Sequence, residues 1–164
     1  MAFSEMNFPT IKGPDHHDFH DSSLIDFIVA PTLDRIKIVV STPDENAIEH
    51  LWLIELSGVL RLEYESLGTH SIESDEAPLQ IYDIYYDYFS DERRRWIERF
   101  LLLGEREEEA KRVFHIVLAS SFVRGWGKHE HLEGINIICR QVQIRPAPER
   151  YKGMEYQRPR IESE

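Results

Sequence analysis

Apolar residues recur at every second position through much of this chain, and that period constrains it to a sheet more firmly than any other feature. In the run from Leu33 to Val40, Ile36, Ile38 and Val40 alternate with Arg35, Lys37 and Val39, as a half-buried strand requires. Thr42-Pro43-Asp44-Glu45-Asn46 then supplies turn residues. Trp52, Ile54 and Leu56 alternate with Leu53 and Glu55; after the break at Ser57-Gly58, Leu60, Leu62 and Tyr64 alternate with Arg61, Glu63 and Glu65. Two paired strands or one bulged strand fit this pattern.

Residues 79–89 fit both periods. Tyr82, Ile84, Tyr86 and Tyr88 stand at strand spacing, and Ile81, Ile84, Tyr85 and Tyr88 at helical spacing; aromatic and β-branched enrichment decides for a strand. One helix is signalled from Asp91. Ser90 can cap it, Asp91 and Glu92 suit its positive end, Trp96, Ile97, Phe100, Leu101 and Leu103 form an apolar stripe, and Gly104 can end it. The charged run 105–112 is compatible with a further helical turn or with a solvated connector. Two late strands, 113–119 and 135–144, flank the glycine-rich loop Arg124-Gly125-Trp126-Gly127-Lys128. The sum is an α+β domain, a largely antiparallel sheet with one inserted amphipathic helix. Residues 1–14 read as an extended arm, 15–145 as a single β-rich domain and 146–164 as a polar, proline-punctuated tail.

Composition narrows the function classes. The net charge of −11 is uneven: residues 1–92 carry 4 Lys/Arg against 19 Asp/Glu, and residues 93–164 carry 15 against 11. An acidic field disfavours nucleic acid and membrane surfaces and favours a basic protein partner. Cys139 is the only cysteine, so no disulfide forms within the chain, and its apolar surroundings predict a small buried hydrophobe. The first residues lack the basic start and apolar run of a secretory signal, and no run of about 18 apolar residues occurs. A cytoplasmic, non-membrane protein is expected.

No phosphate loop, dinucleotide fingerprint, nucleophile elbow or zinc-protease helix motif is present. Imidazoles and carboxylates crowd Asp15-His16-His17-Asp18-Phe19-His20-Asp21, so His16, His17 and His20, joined by His129 and His131 from Lys128-His129-Glu130-His131, are candidate ligands for a divalent metal. Such an ion would activate water for hydrolysis if one coordination position stayed open. A polar surface turn is the competing reading of the same residues.

The preferred site is the acidic, tyrosine-rich strand. Tyr82, Asp83, Tyr85, Tyr86, Asp87 and Tyr88 combine aromatic contact area with carboxylates that suit a basic partner; ordinary sheet packing is the alternative. The basic tail, with Arg145, Arg150, Lys152, Arg158 and Arg160, allows a third reading as an accessory subunit of a larger assembly.

Phe19-His20-Asp21-Ser22, Leu56-Ser57-Gly58-Val59 and Ile137-Ile138-Cys139-Arg140 together resemble small bacterial β-rich domains with a His-Asp-Ser/Ala opening, a class that includes immunity proteins of bacterial toxin systems. The resemblance covers residues 18–145, with the helix at 91–103 and the charged connector as an insertion. It implies a non-enzymatic protein-binding module, an immunity-type inhibitor of a basic toxin, with no cofactor and no catalytic set to carry over.

Overall fold

The computed structural model describes residues 19, 22–65, 80–87, 89–120, 134–154 and 160–162. Its strands are β1 (Ser22–Val29), β2 (Arg35–Pro43), β3 (Glu49–Ser57), β4 (Arg61–Glu65), β5 (Gln80–Tyr86), β6 (Phe114–Ser120), β7 (Gly134–Cys139), β8 (Gln141–Pro146) and β9 (Arg160–Ile161). The helices α1 (Asp91–Leu102) and α2 (Glu107–Ala110) lie between β5 and β6. The fold is α+β, with every neighbouring pair antiparallel except β1 and β9.

The strand order β4-β7-β6-β5-β1-β2-β3-β8 has two ends, and chain continuity brings them together. β3 and β4 are consecutive stretches of one bent chain, and so are β7 and β8. β3 pairs with β8 and β4 with β7, so the two bent chains run side by side around a corner. On the opposite side β1 meets β5 through Ser22–Ile81 and Ser23–Gln80. Two sheet halves, β1-β2-β3-β8 and β5-β6-β7-β4, thus enclose one core.

That core takes the alternate residues the sequence marks. Ile36, Ile38 and Val40 meet Trp52, Ile54 and Leu56 from one half, and Ile84, Ile116, Leu118, Ile135, Ile137 and Cys139 from the other. Burying a side chain of this kind contributes about 1.5–3 kcal/mol. The even positions after the Ser57-Gly58 break do not continue that burial uniformly, since Leu62 stays exposed on β4. β3 and β4 neither pair with each other nor form one bulged strand; they turn from one half into the other.

The corner is built on Gly58 and Arg140. The Arg140 N–H donates to the carbonyls of Ser57 and Gly58, both at 3.1 Å, which ties the two bends together. Gly58 has φ +62°, and a Cβ there would lie 2.8 Å from Arg140 Cβ and 2.9 Å from Arg140 Cγ. Both the left-handed backbone and the close approach require glycine. Gly58→Ala is therefore expected to cost about 2 kcal/mol, read as a lowered urea midpoint with an unchanged m-value.

The chain after β8 returns to the first sheet half. A 3-10 turn at Glu149–Tyr151 buries Tyr151 beside Val39 and Leu53 on the outer face of the first sheet half. β9 then lies parallel to β1, and the Glu162 N–H donates to the Val29 carbonyl at 2.7 Å. Residues 146–164, expected as a polar tail, thus contain a buried tyrosine and a strand.

Candidate functional site at the helical insert

α1 begins as its sequence dictates. Ser90 is extended, and its Oγ accepts from the Arg93 N–H at 3.0 Å. The apolar stripe does not dock as expected. The helix's one buried residue is Arg93, whose Nε donates to the Val113 carbonyl at 2.7 Å and whose Nη2 donates to the Lys111 carbonyl at 3.3 Å. Trp96 and Phe100 are half-buried and pack on one another with ring centroids 5.8 Å apart. Leu101, Leu102 and Leu103 are 42%, 88% and 73% exposed.

Arg140 fastens the other end of the insert. Its Nε donates to the Arg112 carbonyl and one Nη to the Glu109 carbonyl, each at 2.8 Å, while the two Nη atoms grip the Glu105 carboxylate at 2.8 and 3.2 Å. Its guanidinium lies 3.9 Å from the centre of the Phe100 ring. The forked, planar donor set matches a carboxylate and two carbonyls at once, which a lysine could not. The hydrogen bonds from Arg140 hold the Glu105 carboxyl below its ordinary range.

Between α2 and the sheet ends lies a cleft of about 910 Å³. Ile36, Leu56 and Phe114 floor it, and Lys37, Arg112 and Glu108 stand among the charged residues at its rim. The Glu107 carboxylate pairs with Lys111 at 2.7 Å, whereas Glu108 and Glu109 are exposed.

The residues singled out from the sequence fall as follows. His16, His17, His20, His129, His131 and Tyr88 lie outside the described residues. Tyr82 and Asp83 belong to β5, with Asp83 opposite Ala119 at a register shift. Tyr85, opposite Val117, is half-buried. Tyr86 packs against the core with its ring 5.5 Å from Phe114, and burial pushes its hydroxyl up to about 12. Asp87 is half-buried, and its N–H donates to the His115 carbonyl at 2.7 Å. β5 thus divides its tyrosines: Tyr86 serves the core. Burial raises the Cys139 thiol to about 12 as well, which keeps it protonated at neutral pH. Among the described residues no group of three or more His, Cys, Asp or Glu is placed to hold a metal ion. Among them, too, no helix is long and apolar enough to cross a membrane.

Sequence reasoning missed Leu102, although the signal was present. Successive helical residues advance about 100°, so three consecutive leucines cannot share one buried face.

No family model matches the chain, and no curated protein matches it. It is similar to a solved structure titled as an uncharacterized protein from Neisseria gonorrhoeae, at 15% identity over 79% of this chain and 94% of that one, with a TM-score of 0.46. A likeness of that degree carries no argument about function.

Proposed function

We propose that this protein is a non-enzymatic binding module that docks a basic protein partner through its helical insert. The observation that carries this reading is the exposed run Leu101 to Leu103 at the end of α1, with Leu102 88% and Leu103 73% exposed. Three consecutive exposed apolar residues are a liability unless a partner covers them. Further along the insert, α2 carries the exposed Glu108 and Glu109, and in this reading they form an acidic rim to the apolar patch. An apolar anchor with an acidic rim suits a partner that presents an apolar pocket ringed by lysine or arginine. The rim sets the encounter rate, and the buried leucines set the dissociation rate. A basic toxin is the form of such a partner that the immunity-protein resemblance implies.

A photo-crosslinking residue placed at Leu102 in the protein's own cells tests the reading, with the same residue at exposed Lys152 as control. The expected result is a discrete adduct specific to position 102, containing a basic protein whose purified form binds the unmodified chain. Leu102→Ser with Leu103→Ser should weaken that binding about 30-fold, the scale of a hot spot. The same pair should leave stability within about 0.5 kcal/mol. No adduct beyond the control, or affinity unchanged in the double variant, would overturn the proposal.

A further inference from the structure

The structure assigns a second interaction surface, across the cleft from α2: we infer that the chain pairs with a second copy of itself along the edge of β8 that no described strand covers.

β8 pairs with β3 on one side, in the register Leu53–Arg145, Ile54–Ile144, Glu55–Gln143 and Leu56–Val142. In an antiparallel ladder, residues bonded to one neighbour alternate with residues whose N–H and C=O point the other way. The Ala147 N–H donates to the Leu51 carbonyl at 2.9 Å, in the same register, and this sets the phase. Arg145 and Gln143 therefore bond toward β3, and Val142 and Ile144 direct their N–H and C=O groups away from it. Among the described residues no backbone group from another element bonds to these two. The edge is short: Arg140 bends the chain at its start, and Pro146 offers no N–H at its end.

Three observations select a second copy as the occupant. The first is the spacing of the open groups. A two-fold axis at Gln143 sets Val142 of each copy against Ile144 of the other, making two hydrogen-bonded pairs that use both open positions. The second is charge. With that axis Gln143 faces its own image and Gln141 faces Arg145, whose guanidinium is already paired with Glu55, so no like charges stand opposite. The third is burial. Val142 and Ile144 pack against the core yet remain only partly buried, and a neighbouring β8 would cover their open flank. The edge's shortness and Pro146 limit pairing to the middle of the strand, where the other usual guard, a charge pointing along the edge, is absent. Here the central residues are Val142, Gln143 and Ile144.

Sedimentation equilibrium on the full chain, carried into the high-micromolar range, should show a reversible monomer–dimer equilibrium. Gln143→Lys and Gln143→Glu each place like charges on the axis and should weaken the dimer about tenfold. Gln143 is exposed, so both variants should keep the wild-type circular dichroism and melting temperature. Mixing the two should restore association as a heterodimer, resolved by native mass spectrometry. Leu102→Ser with Leu103→Ser should leave the dimer intact, which separates this surface from the insert. A wild-type chain that stays monomeric, its β8 edge left for some foreign strand, would overturn the inference. So would a dimer indifferent to both substitutions, or a mixture that forms no heterodimer.

Discussion

Replacing Arg160 by alanine is expected to lower the unfolding free energy by about 2–3 kcal/mol, less than the about 3–5 kcal/mol of a fully buried pair because the Arg160 side chain is 45% exposed. The carboxylate at stake is Asp26, whose side chain is only 1% exposed in the middle of β1. It receives the Phe27 N–H at 3.0 Å and both Nη atoms of Arg160, one at 3.3 Å and the other closer. The guanidinium reaches it only because β9 lies beside β1, so the pair and the strand depend on one another. Without Arg160 the carboxylate must stay buried uncompensated, take up a proton, or break β9 away to reach water. Urea unfolding measures the total, and exchange of the Glu162 amide, bonded to Val29, reports whether β9 leaves. Asp26→Asn in the alanine background should recover part of the loss, because a carboxamide costs less to bury than a carboxylate. A double variant no more stable than the single would sink this account. Arg160→Lys should fall between wild type and alanine, since an ammonium cannot form the forked pair.

The sequence discloses this fold where local period and burial coincide, and conceals it where one residue acts over a long distance. Ile36, Ile38, Val40, Trp52, Ile54 and Leu56 alternate and are buried, so β2 and β3 are legible. Ser90 is a legible cap because the cap bond spans three residues. The corner is less evident. Residues 135–144 read as one strand, yet Ile135, Ile137 and Cys139 point inward at odd positions, and Val142 and Ile144 at even ones. That change of parity across Arg140 is the trace of the bend, and it is visible only once burial is known. Tyr151 and Arg160 belong to no periodic run, so nothing local marks their return to the sheet. The stripe on α1 is periodic but is not a core face: Trp96, Ile97 and Phe100 are only half-buried, and two arginines, Arg93 and Arg140, together with the buried Ala110 and Val113, anchor the insert. The acidic strand was legible as a strand, and composition alone could not tell that Tyr86 faces Phe114.

Arg140→Ala tests whether one side chain holds the proposed docking surface in place. It removes hydrogen bonds to the Arg112 and Glu109 carbonyls and to Glu105, together with the cation over Phe100. Charge-assisted hydrogen bonds contribute about 1.5–3 kcal/mol each, and water replaces part of this set at an exposed corner, so a net loss of about 3 kcal/mol is expected. The loss should be local. Amides of α1 and α2 should exchange faster, while those of β2 and β3 keep the protection of the global fold. Acid should reproduce part of the effect in the unaltered chain. Glu105 has its carboxyl lowered below the ordinary 4.5 by the bond from Arg140, so its contribution is fully present above that value. It is lost as pH falls through the lower folded value. Protection of the insert's amides, taken relative to intrinsic exchange at each pH, should therefore fall below pH 4.5 in the wild type, with a smaller step in Arg140→Ala, where the bond is already gone. Affinity for the proposed basic partner should fall in the variant although Leu102 and Leu103 are untouched. Arg140→Lys should restore little, because one ammonium cannot reach two carbonyls and a carboxylate together. If α1 in Arg140→Ala exchanged like the wild type, the clamp would be ornamental, and the exposed leucines would owe their position to Arg93 alone.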